Sequence, residues 1–466
     1  MNQDYDFVVI GGGSAGYAGA RTAAALGMRT LVIDSAEKLG GLCILRGCMP
    51  SKTFIETANR RLAMTHATEF ALGCGQITVD PLALQARKRR LIGEFADYRV
   101  DQLEQGKFDL IRGHAEFVDA HQIHVKAVDK VHEIKAGAFL VATGSVILEP
   151  GFPGLEKGDY LDSDAVLELE TLPESILVLG AGPIAMEFAH YFSAMGSRVE
   201  VLLRGDEILR GVDTELAAAL RIALEKRGVR FHRGAQDWKF SRTIGGMRRV
   251  DYKGGSAEAA EILGALGRRP STRGLALEKA GLCLDKDRIT VDATQQSTIP
   301  HIFAAGDVCG PHEIVHIAIA QGEMAARNVA RGQGLLSGEP ERMDYYARLF
   351  GVFTWPQLAE VGISEEAALA AGMDPVSASY PFADHGKSIV MGEIDGLVKL
   401  TADRGTGRLI SGGVVGPEGV EIIHEIAIAV HLKATVHALA TAPHYHPTLS
   451  EIWSYPIEDL AELCKK

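Results

Sequence analysis

The stretch GGLCILRGCMPSK, residues 40–52, sets Cys43 and Cys48 five residues apart, with Pro50 and Lys52 close behind. Two thiols at that spacing admit three chemistries. Zinc uses CxxC-type pairs and four ligands in all. The six cysteines of the chain include no second close pair, so no metal site is expected. Two unrelated buried thiols are the second reading, and a redox disulfide is the third. In a straight helix five residues advance about 7.5 Å, more than the roughly 7 Å between Cα atoms that a disulfide spans without backbone movement. A bridge here therefore needs a distorted segment, which Gly40, Gly41, Gly47 and Pro50 permit. A strained, accessible bridge is the kind that cycles between disulfide and dithiol.

Electrons for such a cycle need a carrier. The stretch DFVVIGGGSAGYAGARTAAALGMRTLVID reads as strand, turn, helix and strand, with Gly11, Gly13 and Gly16 in G-x-G-x-x-G spacing and Asp34 ending the second strand. The first glycine allows the tight turn, the second admits a pyrophosphate, and the third packs helix on strand. The helix N-terminus then faces the phosphates and the acid accepts a ribose hydroxyl. The pattern recurs in SILVLGAGPIAMEFAHYFSAMGSRVEVLL, where Gly180, Gly182 and Ala185 take the same places. In each unit a glycine, Gly27 or Gly196, follows 16 residues after the first. Two dinucleotide sites in one chain are expected to pass electrons between them. The repeats differ at one place: Leu203 occupies the position of Asp34, and Arg204 and Arg210 follow it. Losing a carboxylate while gaining arginines suits a ribose 2′-phosphate. The second site is thus expected to favour NADP(H) over NAD(H).

The whole chain frames these motifs. Its 466 residues are 47% hydrophobic and 23% charged, the balance of an ordinary globular protein of several domains. A net charge of −12 argues against a nucleic-acid surface or a polybasic membrane patch. No long apolar run suggests a transmembrane helix, and the N-terminus has no signal-peptide pattern. A cytoplasmic location is expected, with no metal-binding or lipoyl domain ahead of Met1.

GGLCILRGCMPSK resembles the active-site signature of the FAD-dependent pyridine nucleotide–disulfide oxidoreductases, a family that includes dihydrolipoamide dehydrogenase, glutathione reductase and mercuric reductase. Four more segments resemble that family in the same order: VATGS (141–145), LGRRPST (266–272), HIFAAGDV (301–308) and PHYHPTLSEIW (443–453). The resemblance implies an α/β fold with two Rossmann-like dinucleotide-binding domains and a C-terminal α+β dimerisation domain. It places the first part of the FAD domain at 1–148, the NAD(P)H domain at 149–270, the second FAD part at 271–342 and the dimerisation domain at 343–466. It implies that Cys43 is the interchange thiol that attacks substrate and that Cys48 faces the flavin. Lys52 matches the lysine beside flavin N5, with Glu187 as its ion-pair partner. His446 matches the acid–base residue of the interchange thiol, oriented by Glu451, and in the family this base is supplied by the other subunit of a homodimer. FAD contacts are implied at Gly41, Lys52, Thr143, Gly144, Gly306 and Asp307, beside Gly11, Gly13, Gly16 and Asp34. Gly267 joins the NADP(H) set.

The substrate implied is a small disulfide or dithiol, foremost (dihydro)lipoamide or a lipoyl group on a carrier protein, because VVGPEGVEIIHE and HPTLSE are most similar to dihydrolipoamide dehydrogenase. Another low-molecular-weight disulfide or Hg(II) are the alternatives, and an FAD-binding redox sensor without turnover is a lesser one. Glu323 stands where glutathione reductases carry an arginine, and Pro183 where they carry a tyrosine, so glutathione is disfavoured; Arg21, which does match, carries little weight. A single near-terminal Cys464 replaces the vicinal pair of mercuric reductase and is expected to be an exposed bystander. Trp355 stands where an acid or histidine is usual, and His444 is expected to be structural.

Overall fold

The computed structural model describes residues 4–465; the outermost residues of the expected first FAD segment and of the dimerisation domain, 1–3 and 466, lie outside the described residues. The chain forms two compact units. The first takes the chain up to Ser51, Gln85–Leu148 and Gly267–Asp344; the second takes Lys52–Leu84, Glu149–Leu266 and the chain from Tyr345 onward.

In the first unit, strand Tyr5–Ile10 lies between parallel strands Thr30–Asp34 and Val131–Val141, with Asp109–Arg112 and Ile302–Ala304 extending the parallel set. Successive residues of a strand face opposite sides. Accordingly Val8 and Ile10 enter one core and Phe7 and Val9 another, all at most 3% exposed. Burial on both faces is why the strand reads as an unbroken apolar run. Helix Ser14–Ala25 follows the first turn and packs along helix Val315–Gly332.

The second unit repeats the logic. Strand Ser175–Leu179 lies between parallel strands Arg198–Leu202 and Glu261–Gly264, and helix Pro183–Met195 follows the turn. Here Ile176 and Val178 face one core and Leu177 and Leu179 the other. The last part of the chain forms a five-stranded antiparallel sheet, ordered Leu349–Val352, Gln357–Gly362, Leu409–Gly416, Leu397–Asp403, Pro375–Pro381. Helices Gly419–His431 and Ser454–Leu463 cover it, with Trp453 fully buried. The α/β class, with two strand–turn–helix units and an α+β C-terminal part, is as expected. No helix among the described residues is long and apolar enough to cross a membrane.

Cys464 corrects an expectation. It is 7% exposed, packed into the C-terminal core, and burial raises its thiol pKa. Ile457 and Leu460 lie on one face of the closing helix, and Cys464 caps its end, its N donating to the Leu460 carbonyl at 2.9 Å, so the same apolar spacing carries its side chain inward. That amphipathic spacing outweighs the exposure expected of a chain end.

Candidate active site

Gly40–Lys52 is not one helix. Gly41–Leu45 makes a short helix, Arg46 and Gly47 break it, and a second helix runs Cys48–Thr65. A Cβ added at Gly47 would lie 3.2 Å from Cys43 Cα and 3.0 Å from the Leu42 carbonyl oxygen. The chain therefore doubles back and lays the residue before Cys48 against the backbone of Cys43. Only glycine fits there without movement. Ser51 Oγ donates to the Gly47 carbonyl at 2.8 Å and fixes the break from the downstream side. Pro50 occupies the first turn of the second helix, where an amide has no intrahelical acceptor to lose. Both cysteines are half-buried.

The segment that carries the two cysteines lies against the first glycine turn. Gly41 has φ +74°, and a Cβ there would come 2.8 Å from Gly13 Cα. Within that turn a Cβ at Gly16 would collide with the Gly11 carbonyl oxygen, which is how the third glycine packs helix on strand. Gly11 itself, at φ +103°, faces the Ala142 carbonyl; in the second turn Gly180, at φ +113°, faces that of Ala265. Gly13 and Gly182 are the helix N-caps, neither helix has a side-chain cap, and neither has an acid in its first turn. Their leading amides are thus left for an anion, which fits the pyrophosphate of a dinucleotide at each site. Asp34 Oδ2 accepts from Gly12 N at 2.8 Å and Oδ1 from Ala36 N at 2.7 Å, so the acid is held at its strand end. Its counterpart Leu203 is 2% exposed. Ala185 is fully buried where Gly16 packs in the first unit. Arg204 and Arg210 are exposed beside the second turn, and the Arg204 guanidinium lies 5.9 Å from the centroid of Trp238.

Two segments noted in the sequence pair directly. Ser145–Ile147 runs antiparallel to Arg268–Pro270, with Thr143 and Gly144 just before the first and Gly267 before the second. Thr143 Oγ1 donates to the Ser271 carbonyl at 2.7 Å. Ser145 Oγ donates to Asp307 Oδ2 at 2.6 Å and accepts from Arg268 Nε at 2.8 Å. Gly306 N donates to Gln321 Oε1 at 2.7 Å, and Gln321 Nε2 donates to the Gly310 carbonyl. Neither Ser145 nor Gln321 was identified as a support of the Asp307 turn. Their partners lie 162 and 15 residues away, in a different segment of the chain.

In the second unit Lys52 Nζ donates to both oxygens of Glu187, at 2.9 and 2.8 Å. The Glu187 side chain is 8% exposed. Phe353 completes the pair: its backbone N donates to Glu187 Oε1 at 3.1 Å, and its ring centroid lies 4.6 Å from the Lys52 ammonium. Two residues on, Trp355, unusual at its position, donates from Nε1 to Glu393 Oε2 at 2.7 Å. His446 Nδ1 donates to the Glu451 carboxylate at 2.8 and 3.0 Å, and its side chain is 76% exposed. A fixed carboxylate on one ring nitrogen leaves the other available for proton transfer. His444, by contrast, is 11% exposed and bound to Glu425 at 2.7 Å. Among the described residues no cluster of potential ligands could hold a metal ion.

Arg21 and Glu323 form an ion pair at 2.6 Å. The arginine that could meet a glutathione carboxylate is thus already matched by the residue of reversed sign.

Residues 5–322 match the pyridine nucleotide-disulphide oxidoreductase family, and residues 350–456 match its dimerisation domain. Dihydrolipoyl dehydrogenase of Thermus scotoductus is 34% identical over 458 residues, covering 96% of this chain and 95% of that protein. That of Chlamydia trachomatis is 32% identical over 460 residues, covering 97% and 96%. Among solved structures, LpdA from Mycobacterium tuberculosis superposes with a TM-score of 0.86 at 28% identity, covering 98% of this chain and 99% of that one. The HOCl-induced flavoprotein disulfide reductase RclA from Escherichia coli gives 0.84 at 27%, covering 99% and 100%.

Proposed function

This chain belongs to the pyridine nucleotide-disulphide oxidoreductase family, and on that premise we propose that it uses NADPH to reduce a small disulfide, foremost a lipoyl-type one, at Cys43 and Cys48. It is a disulfide oxidoreductase enzyme of the dihydrolipoyl dehydrogenase type, served by FAD and a pyridine nucleotide, and it carries a dimerisation domain. The observation that carries the proposal is the break at Gly47, which sets the backbone leading into Cys48 against Cys43.

FAD, when bound, supplies two-electron transfer between the nicotinamide and the thiol pair. The chain's own groups divide the remaining work. The Cys43 thiolate attacks one sulfur of the substrate disulfide, and the departing thiolate takes a proton from His446. Cys48 then attacks Cys43 Sγ and restores the Cys43–Cys48 bond, and the proton that Cys48 gives up passes to the second substrate sulfur, which leaves as a thiol. The substrate gains two electrons and two protons, and the enzyme pair is left oxidised for the next round. Glu451 holds the His446 imidazole in register. Lys52, clamped by Glu187 and Phe353, presents a positive charge where the resemblance puts flavin N5. The exposed His446 of a C-terminal domain suits service to a partner's thiols in a homodimer. The coenzyme reading rests on buried Leu203 and exposed Arg204 and Arg210. The proposed compartment is the cytoplasm.

A substrate panel tests the reading: lipoamide, glutathione disulfide, other small disulfides and Hg(II), each with NADPH and NADH. Turnover of a small disulfide that disappears in Cys48→Ser while FAD stays bound is the expected result. Undiminished turnover in Cys48→Ser would remove the thiol pair from the mechanism.

A further inference from the structure

Among the described residues of the first unit, one half-buried cation that feels the charge of Cys43 has no carboxylate partner. Gly41, two residues before Cys43, packs on Gly13, and Tyr17 N donates to the Gly13 carbonyl one turn into the next helix. On the Tyr17 ring lies Arg99, from helix Pro81–Glu104, its guanidinium carbon 4.2 Å from the ring centroid. Arg21 flanks the same ring at 5.9 Å, but its charge is matched by Glu323. Arg99 has no such match. The ionisable groups that act on it are Tyr17, Cys43, Tyr98 and Arg21, and no carboxylate is among them. Its Nε is buried without a hydrogen-bond partner. Burial lowers the Arg99 pKa, while the neighbouring Tyr17 and Cys43 work the other way. A half-buried guanidinium held on an aromatic ring, with no carboxylate to neutralise it, is suited to receive an anion through its terminal nitrogens.

We propose that Arg99, seated on the Tyr17 ring near Cys43, is a specificity-determining residue that favours disulfides bearing a carboxylate over their neutral analogues. The inference rests on Cys43 being the sulfur that meets substrate. It goes further in naming the substrate's charge. Tyr17 fixes the guanidinium by cation–π contact, and Arg21–Glu323 contributes no net charge, so the selectivity falls to Arg99.

The test uses two reagent pairs that differ in charge and little in size. In the NADPH-reduced holoenzyme, alkylation of Cys43 by iodoacetate and by iodoacetamide is followed by peptide mass spectrometry. The same is done for Arg99→Met, Arg99→Gln and Arg99→Lys, with FAD content and thermal unfolding as folding controls. The iodoacetate-to-iodoacetamide rate ratio at Cys43 should fall about fivefold or more in the Met and Gln variants. Arg99→Lys should keep most of the ratio, and the ratio at exposed Cys74 should stay unchanged. In steady state, kcat/KM for lipoate relative to lipoamide should fall in parallel. If Arg99 only stabilised the thiolate, both reagents would slow together, the ratio would hold, and the proposal would be overturned. A ratio that shifts for alkylation but not for lipoate against lipoamide would overturn it as well. If neither disulfide is reduced, the lipoyl-type substrate fails, while the alkylation ratio still judges Arg99.

Discussion

Gly47 and Cys43 meet backbone to backbone: a methyl group on Gly47 would sit 3.2 Å from the Cys43 Cα. The path of the backbone between the two thiols thus includes a close approach that a residue with a side chain would disturb. Gly47→Ala should push the two helices apart, destabilising the protein by about 1–3 kcal/mol, as overpacking does. The larger effect should be on redox chemistry, with re-formation of the Cys43–Cys48 disulfide slowed in a stopped-flow thiol assay. An alanine variant that re-oxidises at the native rate would show that this close approach does not set the pair.

His446 should matter to one half of the reaction only. His446→Ala is expected to lower disulfide turnover by about 100-fold or more, within the range for a lost general acid–base. Anaerobic reduction of the bound flavin by coenzyme should proceed as before, because no proton of that step passes through this imidazole. Glu451→Gln should give a smaller loss of the same kind, since it removes the orienting charge and not the base. Equal loss in both half-reactions would make His446 structural.

Coenzyme choice should follow Arg204 and Arg210. Charge-assisted contacts to a 2′-phosphate contribute roughly 1.5–3 kcal/mol each, less where exposed and screened. NADPH should therefore exceed NADH by about tenfold or more in kcat/KM, about 1.4 kcal/mol. Replacing both arginines and installing an acid at Leu203 should move the preference toward NADH. The switch should be incomplete, because Leu203 is buried and an acid there must turn outward. Steady-state kinetics with both coenzymes measures this, and a wild-type enzyme that works equally well with NADH would leave the arginines without a role.

Glu393 should make stability depend on pH. Burial drives its carboxyl up to about 7, against the lowering effects of the Trp355 hydrogen bond and Arg227. The folded state therefore holds a proton that the unfolded chain releases near its ordinary value of 4.5. Stability from this group is complete below that value and is lost as pH rises to about 7. Glu393→Gln keeps an acceptor for Trp355 Nε1 and has no charge to bury. Relative to wild type it should gain about 1–2 kcal/mol between pH 5 and 8, after discounting for partial exposure. Unfolding by urea at both pH values checks this; the same difference at each would mean that the carboxyl ionises normally.

Local pattern carried most of what the chain disclosed in advance. Gly11, Gly13, Gly16 and Asp34 serve one turn within 24 residues, so their spacing alone expressed their geometry. The five ordered segments did the same for the family. Phe353, Ser145 and Gln321 escaped notice because their value comes from where folding brings them. A backbone amide for Glu187, a hydroxyl for Asp307 and an amide side chain for Gly306 leave no periodic trace. Arg99 was hidden for the same reason: on a polar helix it reads as one more solvated charge until Tyr17 is seen beneath it. Cys464 was misjudged from its place at the chain end, although the spacing of Ile457 and Leu460 already pointed inward.

The burial of Cys464 bears on how far reducing power can travel. A thiol on a free tail could act as a swinging arm, collecting electrons at the centre and delivering them to cargo too bulky to enter. Here the last cysteine is locked in a hydrophobic interior, with its pKa raised by burial. With Cys43 as the proposed delivery point, cargo must bring its own sulfur to that segment, whether as a free small molecule or at the end of a flexible stalk.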